Sequence, residues 1–215
     1  MSIKQHPTDE TLTAFAAGRL DEGRSVVVAA HTEMCARCRS WIATVETIGG
    51  VLLSDLPQAA MADDALSRAL ARIDRGEHSE GPRAGRALPS DVAMLPKAAR
   101  SYPMGRWQWM GPGVHWRPIE VPADHGARVF LLKAAPGTRM PHHTHTGTEL
   151  TLVLSGAFAH QGGHFGPGDL DEADDSVEHQ PIVAAGEDCI CLVAMEGKLH
   201  LLGLVGRVLQ PFVRI

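Results

Sequence analysis

Apolar residues in the first third of the chain recur every three or four positions, which is the spacing of amphipathic helices. Thr8 is a suitable N-cap ahead of two acidic residues, and it predicts a first helix that ends at Gly18. Three further helices are predicted, one with Ser25 as its N-cap that reaches Cys35, one over residues 39–52 and one over residues 62–73. The pattern therefore predicts an all-α N-terminal unit of four helices.

Glycine and proline among charged residues replace the helical pattern between Gly76 and Pro103, which predicts a linker with at most one short helix around residues 91–95. Beyond Met104, short apolar runs alternate with Gly/Pro turns, as in a β-sandwich or barrel. The runs are residues 129–133, 149–154 and 189–194. We therefore expect two domains joined by a linker: a helical domain over 1–80, a linker over 81–103 and an all-β domain over 104–215.

Composition and charge argue against several classes of protein. The chain has 215 residues, 44% of them apolar, a net charge of -5 and a pI near 6.2, which disfavours a general nucleic-acid binder. No apolar stretch approaches the roughly 18 residues of a membrane span, and the N-terminus begins no signal peptide, so we expect a cytoplasmic protein. The four cysteines form two close pairs, unlike the framework of a secreted disulfide-rich protein.

A first set of potential metal ligands is His31-x3-Cys35-x2-Cys38. His31 and Cys35 lie one helical turn apart and can face one metal ion, and Cys38 follows just past a tight connection. Free N–H groups at the start of the next helix are expected to favour the thiolate of Cys38. A tetrahedral structural zinc site needs a fourth ligand, for which His6 is the nearby candidate. Alternatively, the cysteines are small buried apolar residues and the histidines are surface groups.

This motif, with His6 ahead of it in a helical domain, resembles the zinc-binding anti-sigma factor family. The resemblance implies that the helical domain wraps around an extracytoplasmic-function (ECF) sigma factor and blocks its access to RNA polymerase. It also implies a groove of exposed apolar helix faces. Some members release the sigma factor through a cysteine ahead of the motif, which this chain lacks. For four apolar residues we favour the core over such a groove: Val27, Leu52, Leu66 and Leu70.

A second set of potential ligands, Gly137-x5-His143-x-His145-x3-Glu149-x6-Gly156, is similar to the first cupin motif in every position. On a strand, His143 and His145 point to the same side, and Glu149 returns on the following strand. A His/carboxylate set suits zinc or another divalent metal. The resemblance implies a cupin (jelly-roll) barrel. The alternative is a barrel that keeps these residues without binding a metal.

The second cupin motif usually supplies one more histidine after a Pro-x-Gly turn. In this chain His179 follows the turn Pro167-Gly168-Asp169, after a longer interval than is common. We predict His179 as the fourth ligand of the second set. The competing candidates are His142, His160 and His164.

Taken together, the two halves are similar to ChrR-type anti-sigma factors, which join a zinc anti-sigma domain to a cupin-like domain. The resemblance implies that the helical half suffices to inhibit the sigma factor. It implies that the cupin half is needed for the response to singlet oxygen or related oxidants. The expected partner is one ECF sigma factor in a 1:1 heterodimer, with no direct binding of DNA or membrane.

The leading hypothesis is therefore a regulator and not an enzyme. The competing hypothesis is a dioxygenase-like cupin metalloenzyme that acts on a small molecule at an open metal site. A metal-storage or metal-sensing protein ranks last, because the Cys/His set looks too closed for easy exchange. Cys189 and Cys191 share one face of a predicted strand; they are either redox-active or small core residues, and we favour the core.

Overall fold

The computed structural model describes residues 2–76, 92, 95–122 and 126–202. Its helices are α1 (Asp9–Ala16), α2 (Glu22–Met34), α3 (Ala36–Ser54), α4 (Ala65–Asp74) and α5 (Lys97–Arg100). Its strands are β1 (Gln108–Gly111), β2 (Val114–Ile119), β3 (Arg128–Ala134), β4 (His143–His145), β5 (Glu149–Ser155), β6 (Phe158–His160), β7 (Gly163–Phe165), β8 (Leu170–Ala173), β9 (Ile182–Val183), β10 (Cys189–Met195) and β11 (Leu199–Leu201). A helical region is thus followed by a β-rich region, as predicted. None of the described helices is long and apolar enough to cross a membrane.

Capping side chains determine where the first two helices begin. The Thr8 hydroxyl accepts a hydrogen bond from the backbone N–H of Thr11, which confirms Thr8 as the N-cap of α1. The prediction of Ser25 as the cap of α2 is wrong, because Asp21 lies earlier and accepts a hydrogen bond from the N–H of Arg24. Ser25 instead lies in the first turn of α2, where its N–H donates to the Asp21 carbonyl.

The short helix α5 lies at the end of the predicted linker. The helix expected around residues 91–95 falls mostly outside the described residues, since 91, 93 and 94 are among those not described. α5 begins after Pro96, and the carboxylate of Glu33 in α2 accepts hydrogen bonds from the N–H groups of Lys97 and Ala98. A side chain of α2 therefore caps α5.

The strands form one large sheet and two small ones. The large sheet has six strands in the order β1-β2-β3-β10-β5-β8, and its neighbours are antiparallel. A three-stranded sheet has the order β7-β6-β9, and β11 pairs with β4. Strand β10 lies near the end of the described chain but occupies the centre of the sheet, between β3 and β5. The sheet is therefore complete only when β10 has paired with both.

The six-stranded sheet is covered on both faces. Side chains alternate along β3, β5 and β10, so each strand contributes to two cores. The first core, on the helical side, includes Val26, Val27, Ala30, Val129, Leu131, Leu150, Leu152, Leu192 and Ala194. The second core, against the three-stranded sheet, includes Phe130, Val153, Phe158, Phe165, Val183, Cys191 and Val193. Burial on both faces explains the nearly continuous apolar runs that predicted these strands.

The backbone of α2 lies against the chain just before β3. A Cβ atom placed on Gly23 would overlap the carbonyl oxygen of Ala127. Glycine is therefore required for this approach of helix to sheet. The helical region and the sheet share a core, and the domain limits at 1–80, 81–103 and 104–215 stay a prediction.

Candidate metal centres

The four ligands predicted in the N-terminal region lie together in one cluster. Nδ1 of His6 lies 3.4 Å from Sγ of Cys35 and 3.4 Å from Sγ of Cys38. Nε2 of His31 lies 3.3 Å from Sγ of Cys38. Tetrahedral coordination of zinc would separate a nitrogen ligand from a sulfur ligand by about 3.5 Å. The spacing of these atoms therefore fits a single zinc-sized cation.

Local structure explains how the chain brings these residues together. His31 lies in the last turn of α2, Cys35 connects α2 to α3, and Cys38 lies in the first turn of α3. His6 lies in the extended segment ahead of α1. A metal ion held by all four would therefore join the N-terminal segment to the corner between α2 and α3.

The tautomer of His31 leaves a lone pair directed at this cluster. Its Nδ1 lies 2.9 Å from the carbonyl oxygen of Gly168, which can only accept a hydrogen bond, so Nδ1 carries the proton. In the neutral ring, Nε2 then has a free lone pair on the side of Cys38. Burial lowers the pKa of His31 to about 4, so the ring is neutral at pH 7. This is the form of histidine that binds a metal.

Cys38 must lose a proton before it can bind a metal. Burial raises the pKa of the Cys38 thiol to about 12, and the hydrogen bond with Cys35 contributes in the same direction. Without a bound cation, burial therefore favours the thiol of Cys38 over the thiolate that the start of α3 was expected to favour. A bound cation would supply the compensating charge that a buried thiolate needs.

A second cluster consists of His143, His145 and His179. Nε2 of His179 lies 2.9 Å from Nε2 of His143 and 3.2 Å from Nε2 of His145. The alternation along β4 places His143 and His145 on one side, as predicted. His143 and His179 also exchange two backbone hydrogen bonds of 3.1 Å each, which hold His179 opposite β4. The structure thus brings the predicted His179 to the other two histidines.

The three rings of the second cluster are neutral. Burial lowers the pKa of His143 and of His145, and burial together with the neighbouring histidines lowers the pKa of His179 to about 3. Nδ1 of His143 lies 2.7 Å from the carbonyl oxygen of Pro141, so Nδ1 is protonated and Nε2 has a free lone pair. Three neutral imidazoles that converge through Nε2 fit a divalent cation such as zinc.

Glu149 lies beside the second cluster. Its Oε2 atom lies 3.4 Å from Nδ1 of His145, and its Oε1 atom accepts a hydrogen bond of 2.8 Å from the Thr151 hydroxyl. Burial raises the pKa of Glu149. The three histidines satisfy the spacing of a metal site without this carboxylate, so Glu149 as a ligand stays a prediction.

Two of the competing histidines, His142 and His164, are exposed, whereas His160 lies beside the cluster and forms a further possible metal group with Asp171 and His179. His142 is exposed with its Nε2 3.9 Å from the carboxylate of Glu178, and His164 is also exposed. Nε2 of His160 lies 2.7 Å from Oδ2 of Asp171, which lies 4.0 Å from Nδ1 of His179. Sequence reasoning missed Asp171. The available signal was the alternation of β8, which turns every second residue after the Pro-Gly turn toward the second core.

Sequence reasoning also missed Asp169, in the turn before β8. The Asp169 carboxylate accepts hydrogen bonds from the N–H groups of Lys4 at 2.6 Å, Gln5 at 3.0 Å and Gly166 at 2.9 Å. Burial alone would raise the pKa of Asp169, but these hydrogen bonds outweigh it and hold the pKa below its usual value. The β-rich region therefore holds the backbone immediately ahead of His6.

An apolar cavity of about 520 Å³ lies beside the second cluster. Its wall includes His143, His179, Glu149, Cys189 and Cys191 among mainly apolar side chains. The Sγ atoms of Cys189 and Cys191 lie 3.7 Å apart, and both residues are buried. They are core residues, as favoured from the sequence, and they also face the cavity; a redox role stays a prediction.

Apolar side chains of α4 are exposed along one stripe. Leu66, Leu70 and Ile73 are 71%, 52% and 65% exposed, and their spacing of four and three places them on one helix face. None of the residues of α4 is buried. The second half of α3 adds exposed Ile48, Val51, Leu52 and Leu53.

The preference for core positions was right for one of the four apolar candidates and wrong for three. Val27 is fully buried under the sheet. Leu52, Leu66 and Leu70 are exposed, because no described part of the chain packs on these faces of α3 and α4. An apolar surface of this kind is typical of a protein interaction site.

The fold and the two clusters define a class of protein in which a helical region with a Cys/His cluster precedes a β-rich region with a histidine cluster. Residues 101–198 match the family model described as the ChrR cupin-like domain. The chain is 38% identical to the anti-sigma-E factor ChrR of Cereibacter sphaeroides, over all of both chains. It is also similar to a chain in the crystal structure of Rhodobacter sphaeroides SigE in complex with the anti-sigma ChrR, with 35% identity, a TM-score of 0.74 and coverage of 91% of this chain and 100% of that one. This chain belongs to the ChrR family of anti-sigma factors.

Proposed function

We propose that this chain is an anti-sigma factor whose helical domain, residues 1–80 with zinc bound, sequesters one ECF sigma factor in a 1:1 complex. The related ChrR of Rhodobacter sphaeroides is seen in complex with SigE, and the similarity to it covers nearly all of this chain. These relatives favour a regulator over the cupin metalloenzyme considered from the sequence. The complex would form in the cytoplasm and without direct binding of DNA, in keeping with the net charge of -5.

The exposed apolar stripe on α4 and the end of α3 carries this proposal. An amphipathic helix normally buries its apolar face, yet Leu66, Leu70 and Ile73 are all more than half exposed. A sigma factor laid across this stripe would remove these side chains from water, and each leucine would contribute about 1.5–3 kcal/mol. The same surface explains why the helices keep apolar residues that the core does not use.

Zinc at the first cluster would fix the geometry of the sigma-binding helices. His6, His31, Cys35 and Cys38 would be its ligands, and the ion would hold the corner between α2 and α3. Zinc or another divalent metal at His143, His145 and His179, with Glu149 as a further ligand, would form the second site. We propose that the surrounding β-rich domain closes as a jelly-roll barrel around that site.

We further propose that the cupin domain senses oxidative stress, through singlet oxygen or related oxidants, and that this event releases the sigma factor. The support is the cavity of about 520 Å³, which leaves room for a small molecule next to oxidisable groups. Its wall holds the imidazoles of His143 and His179 and the thiols of Cys189 and Cys191. Oxidation of any of these groups would change the packing of β10 or β4.

The test is co-purification of the tagged full-length chain from its native host, followed by mass spectrometric identification of bound proteins. Leu66→Asp is compared with Trp109→Asp, which places the same charge on an equally exposed apolar side chain of the sheet. We expect one ECF sigma factor with the unchanged chain and with Trp109→Asp, and a loss of about tenfold or more with Leu66→Asp. Absence of any sigma factor, or equal recovery with both variants, contradicts the proposal.

A further inference from the structure

Strand β8 and the turn before it separate the two clusters and contact both. Side chains alternate along β8, so Leu170 and Glu172 face the helical region while Asp171 faces the cavity. The turn residues Gly168 and Asp169 come directly before the strand. Residues 168–172 therefore contact the first cluster on one side of the strand and the second cluster on the other.

On the helical side, this segment holds two of the four predicted ligands of the first cluster. The carbonyl of Gly168 accepts from Nδ1 of His31 and so fixes the ring with Nε2 toward the cysteines. Asp169 holds the backbone N–H groups of Lys4 and Gln5, just before His6.

Beyond His6, the same strand holds the chain again. The Glu172 carboxylate accepts hydrogen bonds from the N–H of Thr8 at 2.8 Å and from the hydroxyl of Thr11 at 2.6 Å. The N–H of Leu170 donates to the carbonyl of Gln5 at 3.2 Å. The segment that carries His6 is therefore fixed to β8 on both sides of the ligand.

On the cavity side, Asp171 stands behind the second cluster. Its Oδ2 atom lies 2.7 Å from Nε2 of His160 and 4.0 Å from Nδ1 of His179, the ring nitrogen that does not face the cluster. That Nδ1 is buried and makes no hydrogen bond to the described residues. A histidine that binds a metal normally has its second nitrogen fixed by a carboxylate, carbonyl or water. At 4.0 Å the Asp171 carboxylate makes no direct hydrogen bond to this nitrogen, but it lies beside it.

We propose that β8 is a shared support for both clusters, with Gly168 and Asp169 positioning His31 and His6, and Asp171 positioning His179, so that metal binding at one cluster strengthens metal binding at the other. The inference rests on the proposed metal binding at the two clusters. Metal at the histidine cluster fixes His179 and with it Asp171 and β8, and a fixed β8 holds the first ligand set in place. By thermodynamic linkage, the effect is the same in both directions.

The consequence is a physical route from the sensing domain to the sigma-binding helices. Loss of metal or damage at the histidine cluster would loosen β8, and the first site would then lose zinc more easily. Removal of a side chain that orients a metal ligand typically lowers metal affinity about 10–100-fold. Coupling between sites typically amounts to about 5–150-fold.

The test measures the zinc affinity of the first cluster in the purified full-length chain. Free zinc is set with chelator buffers, and peptide-resolved alkylation reports the fraction of Cys35 and Cys38 left unprotected. Four proteins are compared: the unchanged chain, His145→Ala, Asp169→Asn and the combined variant. Asp175→Asn is the matched control, because its side chain is exposed just beyond β8.

We expect His145→Ala to weaken zinc binding at the first cluster about fivefold or more, and Asp169→Asn to weaken it about 10–100-fold. The loss in the combined variant should be smaller than the product of the two single losses, because Asp169→Asn removes part of the link between the clusters, and Asp175→Asn should have no effect. If Asp169 only stabilised the fold, the two substitutions would act independently, and their losses of zinc binding free energy at the first cluster would add in the combined variant. Additive losses, or an unchanged affinity in His145→Ala, overturn the proposal.

A second variant, Asp171→Asn, tests the proposal in case His145→Ala does not fold. Asp171→Asn leaves all predicted ligands in place, and it should lower zinc affinity at both clusters, while an effect confined to the histidine cluster overturns the proposal. The assay contains no sigma factor, so a negative result leaves the anti-sigma proposal standing. Failure of that proposal would appear in co-purification, not in this measurement.

Discussion

The carboxylate of Asp21 accepts hydrogen bonds from the N–H of Arg24 at 3.0 Å and from the N–H of Ala127 at 3.2 Å, 106 residues further along the chain. The same oxygen atom therefore caps α2 and ties the start of that helix to the chain before β3. The guanidinium of Arg24 also pairs with this carboxylate. One side chain thus orients the helix that carries His31 on the six-stranded sheet.

Replacement of Asp21 by alanine should destabilise the protein by about 1–2 kcal/mol at neutral pH, because the helix loses its cap. Denaturant unfolding of the metal-loaded full-length chain measures this loss. Asp64→Ala is the matched control, since Asp64 precedes α4 without making a side-chain cap. Equal losses in the two variants would contradict the role of Asp21.

The cost of Asp21→Ala should also depend on pH. Burial alone would raise the pKa of Asp21, but hydrogen bonds from Arg24 and Ala127 hold it below the usual value. A carboxyl with a lowered folded-state pKa stabilises the fold above its unfolded pKa of about 3.9, and this contribution is lost as pH falls through the folded value. The free energies of unfolding of the unchanged chain and of Asp21→Ala should therefore converge as the pH is lowered. A difference that stays constant with pH would contradict the role of the ionised carboxylate.

Gly23→Ala should destabilise the packing of α2 on the sheet, because its Cβ would overlap the carbonyl oxygen of Ala127. Gly49→Ala is the control, and it should change the stability in the opposite direction. Gly49 lies inside α3 with open space around it, so alanine should stabilise the helix by about 0.5–1 kcal/mol. Thermal unfolding compares the two, and a stabilising effect of Gly23→Ala would refute the close approach.

Zinc binding at the first cluster should release protons. The Cys38 thiol has its pKa raised to about 12, so a metal must displace its proton at any pH near neutral. The apparent affinity should then rise about tenfold per pH unit for each proton displaced. Calorimetry in two buffers of different ionisation enthalpy counts the protons. Cys38→Ser should abolish this component while Cys189→Ser retains it, and binding without proton release would show that the thiol is not a ligand.

With zinc in large excess, so that the first cluster stays loaded, His143→Ala should leave sigma binding intact while weakening the response to an oxidant, and Glu149→Ala should do the same if that carboxylate is a ligand. Both residues line the cavity beside the second cluster, and neither belongs to the exposed stripe of α4. The measurement is release of the sigma factor from the purified complex on exposure to singlet oxygen, with exposed His164→Ala as control. Loss of sigma binding in His143→Ala would mean that the cupin domain is part of the surface that binds the sigma factor.

Local patterns predicted much of the ligand sets. The two-residue step from His143 to His145 places both side chains on one face of β4. The four-residue step from His31 to Cys35 spans the end of α2, where Cys35 is the C-cap. His179 is also brought to its expected place, although its register is set by pairing with His143 and not by a local pattern.

The features that sequence reasoning missed depend on contacts between distant segments. Asp21 caps α2 through a local bond from Arg24, but its second bond, from Ala127, crosses between the two halves of the chain. Asp169 likewise accepts from Lys4 and Gln5 in the other half. The exposure of Leu66 was also missed, since an apolar stripe at helical spacing looks the same whether its partner is the core or another protein.

The most direct test of the anti-sigma role is transcription in vitro by RNA polymerase and the ECF sigma factor recovered with this chain. The account predicts that transcript falls with added full-length chain and disappears near one equivalent per sigma factor, while Leu66→Asp requires about tenfold more. Undiminished transcription in the presence of excess zinc-loaded chain would contradict it.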